Sequence, residues 1–135
     1  MKDKCFVDSN ILIYAHTNLD LKKQGTSQAL LKSENLVISV QVLNELVSVF
    51  RKKFNKDWKS IGKIIAETTE YFTISPITEE TVNRAIKLSI KYEYSYYDSL
   101  IIASALESNC KTLYSEDLHH TQIIDKSLTI INPLK

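Results

Sequence analysis

Short apolar runs alternate with longer stretches of helical periodicity along the whole chain, and only two glycines, Gly25 and Gly62, occur in it. Strands are read at Lys4 to Val7, Leu36 to Ser39, Phe72 to Ser75, Thr112 to Tyr114 and Leu128 to Ile131, the last halted by Pro133. Between them, helical patterns run near Ile11 to Thr17, through Leu19 to Ser33, from Val40 to Lys53, from an Asp57 cap to about Tyr71, from Thr78 with Glu79 and Glu80 to about Lys91, and from Tyr97 to Ser108. Strands separated by helices pair in parallel through crossovers. The expectation is therefore an α/β fold, a Rossmann-like three-layer α/β/α sandwich around a central parallel sheet. No repeat, low-complexity tract or linker divides the 135 residues, which read as a single domain over 1–135.

Composition narrows the function classes by exclusion. Net charge is +1, so any nucleic-acid contact has to rest on a local basic patch; the one real cluster is Arg51, Lys52 and Lys53 with Lys56 and Lys59. A solvated helix end, favourable to the helix dipole, explains the same residues without any ligand. Neither glycine lies in a phosphate-cradling pattern after a strand. Cys5 and Cys110 lack metal-ligand spacing and read as small core residues of a reducing compartment. No segment reaches the ~20 apolar residues of a membrane span, so a cytoplasmic location without membrane attachment is expected.

Against this background four acids stand where a carboxylate is expensive. Asp8 follows the first strand in Phe6-Val7-Asp8-Ser9-Asn10-Ile11, where three potential helix caps occur in succession, more than one helix end needs. Glu45 lies at i+3 from Val42 and i−4 from Val49, on their apolar face. Asp98 completes a Ser95-x-x-Asp98 capping pattern yet shares a face with Ile101, Ile102 and Ala105. In Ser115-Glu116-Asp117 the loop follows a strand directly, and local sequence does not choose between its two acids. Each position alone has a structural explanation. Ligands of open parallel sheets, however, bind beyond the carboxyl ends of the strands, where all four fall. Several carboxylates gathered there hold their charge best around a divalent cation. His119 and His120 are adjacent and point apart, which disfavours a zinc motif. Tyr92, Tyr94, Tyr96, Tyr97 and Trp58 could stack bases, fill an interface or simply pack the core.

Four segments together resemble the PIN domain family, and specifically its VapC-type toxin ribonucleases of type II toxin–antitoxin modules. They are Val7-Asp8-Ser9-Asn10-Ile11-Leu12-Ile13-Tyr14, Ile38-Ser39-Val40-Gln41-Val42-Leu43-Asn44-Glu45-Leu46, Tyr97-Asp98-Ser99-Leu100-Ile101-Ile102-Ala103-Ser104-Ala105, and Leu113-Tyr114-Ser115-Glu116-Asp117-Leu118. The ending Leu128-Thr129-Ile130-Ile131-Asn132-Pro133 is similar too, so the likeness covers nearly the whole chain. It implies that Asp8, Glu45 and Asp98 are the core metal-binding and catalytic acids. Asp117, rather than Glu116, takes the fourth place, and Ser9, Asn10 and Ser115 support them. It further implies RNA as substrate, a cognate antitoxin that covers an apolar groove and the acidic site, and a homodimer.

An all-oxygen donor set without a Cys or His group suits Mg²⁺, or Mn²⁺ in its place. The resulting expectation is a metal-dependent endoribonuclease, with Arg51, Lys52 and Lys53 as candidates for the RNA backbone. The alternatives are a catalytically silent PIN-like RNA- or protein-binding module and an RNA-processing PIN nuclease that is not a toxin. A haloacid-dehalogenase-type phosphohydrolase would need an Asp where Asn10 stands, and a receiver domain a late partner Lys that is not evident.

Overall fold

The structure, a computed structural model, describes residues 3–33 and 35–135. Its elements are β1 (Cys5–Val7), α1 (Ser9–His16), α2 (Leu21–Leu30), β2 (Leu36–Ser39), α3 (Val40–Lys52), α4 (Trp58–Tyr71), β3 (Thr73–Ser75), α5 (Glu79–Tyr92), α6 (Tyr96–Glu107), β4 (Thr112–Tyr114), β5 (Ile123–Ile124) and β6 (Leu128–Ile131). The strands form one sheet in the order β3-β2-β1-β4-β6-β5, parallel through its first five members. The two-residue β5 pairs antiparallel with β6 at the edge. The sequence reading does not contain it, because two residues carry no measurable periodicity.

Strand order follows from crossover handedness. β1 to β2 and β2 to β3 step in one direction, so right-handed crossovers place α1 to α4 on one face, whereas the return from β3 to β4 places α5 and α6 on the other. The direction reverses beside β1, between β2 and β4, and the acids gather at that switch point. α6 is buried continuously from Ser99 to Leu106, since α5 covers the side that the sheet does not. A helix apolar all round belongs in such an interior position. Phe6, Ile11, Leu12, Ile38, Leu46, Phe50, Ile102 and Leu113 are fully buried around it. Among the described residues no helix is long and apolar enough to cross a membrane.

Helix starts are set locally. Asp20, Ser39, Asp57, Thr78 and Ser95 each accept a bond from a backbone N–H of the first turn they cap. At α5 the cap is reciprocal: Thr78 Oγ1 accepts from Thr81 N at 3.4 Å, and Thr81 Oγ1 accepts from Thr78 N at 3.0 Å. Thr78→Ala removes one half of this pair, and we expect a loss of about 1 kcal/mol. It should appear as a lower urea midpoint with an unchanged slope.

Cys5 and Cys110 are free, and burial pushes the Cys110 thiol up to about 12, as expected of a core residue.

Candidate metal centre

β1 ends at Val7, and the chain turns at once into α1 with Asp8 as its N-cap. Asp8 Oδ1 accepts from Ser9 N at 2.7 Å, and Oδ2 accepts from Ser115 Oγ at 2.7 Å. The side chain is therefore both a cap and one half of a bridge to the end of β4. It is only 4% exposed, and burial pushes its pKa up to about 7; Ser115 opposes this, and the negative charges of Glu45 and Asp117 add to it.

Glu45 projects from α3 beside buried Val42 and Leu46. Ser9 Oγ donates to its Oε1 at 2.9 Å, and Gln41, one turn earlier, hydrogen-bonds it as well. Partial burial raises its pKa, and repulsion from Asp98 and Asp117 adds to the rise. Asp98 stands in the first turn of α6, where its backbone N–H donates to the Ser95 cap at 3.2 Å. Its carboxyl is raised as well, first by partial burial and then by Asp117. Asp117 is the exposed member. Asn10 Nδ2 donates to its Oδ2 at 3.0 Å, and its own N–H donates to Ser115 Oγ at 3.2 Å.

The structure thus brings the four acids into one electrostatic neighbourhood, with Asp117 acting on each of the other three. Ser9 ties Asp8 to Glu45, and Ser115 ties Asp8 to the backbone of Asp117. Asn10 reaches both residues that flank Glu116. The two ion pairs among the described residues, Lys23 with Glu116 and Lys91 with Asp125, involve none of these four acids.

The basic cluster divides. Arg51 is turned away: its guanidinium lies 4.8 Å from the Trp58 ring centroid, and Nη1 donates to Lys56 O at 3.0 Å. Lys52 is exposed. Lys53 lines a cleft of about 200 Å³ that it shares with Asn10, Asp117 and the apolar Ile13, Leu19 and Val49. Among the aromatics, Tyr92 and Tyr94 are half-buried and bonded to Asp125 and Gln122, whereas Tyr97 is 60% exposed one residue before Asp98. His120 accepts from Asn132 N through Nδ1, and His119 packs on Tyr94, so both have structural roles.

Sequence reasoning missed Gln41, whose i,i+4 spacing to Glu45 is a legible signal. It also missed Tyr14 and Lys23, whose contacts to Glu116 cross 102 and 93 residues and leave no local trace.

Among the described residues, no group of three or more His, Cys, Asp and Glu side chains stands ready to close on one ion. The donor chemistry nevertheless fits a hard divalent cation. All four groups are carboxylates, three have raised pKa values, and their partners are hydroxyls, amides and backbone N–H groups. Mg²⁺ is commonly held by one or two carboxylates with several retained waters, so a complete protein cage is not required.

No curated protein matches the chain. Among solved structures, a toxin–antitoxin complex from Klebsiella pneumoniae is similar over 96% of this chain and 98% of its own, with a TM-score of 0.68 and 21% identity. VapC20 from Mycobacterium tuberculosis, described as a sarcin–ricin-loop-cleaving toxin, gives a TM-score of 0.70 at 16% identity, over 84% of this chain and 92% of that one. VapBC2 from Rickettsia felis, solved with a DNA fragment from its promoter, gives 0.67 at 19% identity, over 95% and 98%. These likenesses establish a shared fold. The PIN domain profile matches residues 5–125, nearly the whole sequence, and the chain belongs to the PIN domain family.

Proposed function

We propose that this chain is an endoribonuclease dependent on Mg²⁺ or Mn²⁺, and the toxin of a type II toxin–antitoxin pair. The observation that carries the reading is the gathering of Asp8, Glu45, Asp98 and Asp117 at the sheet's switch point, none of them held in an ion pair among the described residues. Such a charge cluster has no stabilising purpose of its own, since each carboxylate makes its neighbours harder to ionise. The toxin assignment is supported by structural neighbours described as a toxin and as toxin–antitoxin complexes.

A bound divalent cation would lower the pKa of a water it holds and would offer positive charge to the phosphodiester as it is attacked. The chain's own residues orient the reactants. Two donors fix Asp8 at the floor of the site, whereas Asp98 and Asp117 stand nearer solvent, from where a phosphodiester would approach. Lys53, in the cleft beside Asp117, is placed to take a neighbouring phosphate. Tyr97 offers an exposed ring to an unpaired base.

The test uses wild-type protein on RNA with single-stranded loops. Cleavage should appear with Mg²⁺ or Mn²⁺ and vanish in excess chelator; undiminished cleavage in chelator would overturn the metal assignment. Expression of the chain should arrest growth, and a neighbouring gene's product should relieve the arrest. Cation-dependent cleavage without arrest would identify an RNA-processing enzyme instead.

A further inference from the structure

Asp117 is the most exposed of the four acids, and it sits in the loop that follows β4. We propose that Tyr14 and Lys23, acting through Glu116, form a clamp that positions Asp117 for the cation. Its relevance to metal binding rests on the reading of the site given above.

The geometry closes a ring of contacts among three elements. Glu116 Oε1 accepts from Tyr14 Oη at 2.8 Å, and Oε2 accepts from Lys23 Nζ at 2.5 Å. Lys23 Nζ also donates to Tyr14 Oη at 3.4 Å and lies 4.9 Å from the centroid of its ring. Both oxygens of Glu116 are thereby engaged, one from α1 and the other from α2. The side chains of Lys23 and Glu116 are 32% and 23% exposed, so the pair is partly open to solvent screening and its hold on the loop comes from the joint contacts rather than from charge alone. On the backbone, Glu116 N donates to Asn10 Oδ1 at 3.3 Å, so the loop is held at this one residue by side chain and main chain together.

Two consequences reach the site. Glu116 is one peptide from Asp117, so anchoring its carboxylate against α1 and α2 restricts the directions open to the next side chain. Glu116 would also be a fifth negative charge beside four others, and Lys23 offsets it where it stands. Glu116 is therefore a positioning residue, and Tyr14 and Lys23 are what hold it.

Lys23→Met, Tyr14→Phe and Glu116→Ala should each raise the Mn²⁺ dissociation constant, measured by calorimetry, by about tenfold, the size typical of partners that orient a ligand. The Lys23→Met/Glu116→Ala double variant should bind no worse than Glu116→Ala, because the residues act as one unit. Lys23→Arg, which keeps the charge and the donors, should restore binding. In chelator, backbone amides of Glu116, Asp117 and Leu118 should exchange with deuterium faster in Lys23→Met and Glu116→Ala than in wild type. Wild-type exchange in both folded variants would overturn the clamp, as would unchanged Mn²⁺ binding in both. Asp8→Asn, run in parallel, separates the two ideas: if it binds Mn²⁺ normally the metal site is wrong, and the exchange measurement still judges the clamp. Lys23 lies on a polar, largely exposed helix, so its variant tests the proposal even where Glu116→Ala does not fold.

Discussion

Asp8→Asn and Asp98→Asn are expected to lower cation-dependent RNA cleavage by about a hundred- to a thousandfold while leaving the protein folded. A correctly held cation would supply several kcal/mol of transition-state charge stabilisation, and each 1.36 kcal/mol is tenfold in rate. Relaxation and retained waters account for the lower end of that range. The two changes are nearly isosteric and keep the local structure for separate reasons. In Asp8→Asn the amide oxygen still accepts from Ser9 N or Ser115, and in Asp98→Asn the backbone N–H keeps its bond to Ser95 Oγ while the amide oxygen can still accept from the Ser95 hydroxyl. Both variants should therefore keep wild-type circular dichroism. Raising Mn²⁺ should recover part of the loss if binding is what the carboxylate supplied. Wild-type turnover by either variant at saturating cation would remove that residue from the site.

Without metal, the protein should become less stable as pH rises, the reverse of ordinary acid denaturation. Asp8 has an ordinary value of 3.8 and is pushed up to about 7 in the folded chain, chiefly by burial. Between these values the folded state binds the proton and the unfolded state does not, so protonated Asp8 contributes stability that is fully present below about pH 4 and is lost through pH 7. From pH 5 to pH 8 the loss is about 2–3 kcal/mol from this residue, and Glu45 and Asp98 are shifted in the same direction. In chelator, wild type should have a lower urea midpoint at pH 8 than at pH 5, and Asp8→Asn should exceed wild type at pH 8. Mg²⁺ should stabilise wild type at pH 8 by mass action but not the variant. An Asp8→Asn protein less stable than wild type at pH 8 in chelator would show that the buried carboxylate is not the costly group described here.

Much of the frame was legible before any coordinates. Five of the six strands and all six helices fall where periodicity and caps place them, with ends shifted by a few residues, as between the expected Tyr97–Ser108 and the observed Tyr96–Glu107. The split between α1 and α2 also agrees, with Asp20 supplying a cap that the pattern alone did not single out. The antiparallel β5 was not legible, since its two residues draw their definition from the β6 backbone they pair with. Of the basic cluster, the sequence could not tell Arg51, spent on Trp58 and the Lys56 carbonyl, from Lys53 in the cleft. These side chains sit on one helix end, and what they meet depends on loops that return from elsewhere.

The residue types and their spacing determined by themselves an α/β sheet with carboxylates beyond its strand ends, because local periodicity and the cost of burying charge act through neighbours in sequence. Only the tertiary structure decided how those carboxylates are held. Ser115 reaches Asp8 across 107 residues, Ser9 reaches Glu45 across 36, and Glu116 is drawn away to Tyr14 and Lys23. Those bonds exist because β1 lies between β4 and β2 at the switch point, and strand adjacency is set by packing the whole sheet against its helices, which no local pattern encodes.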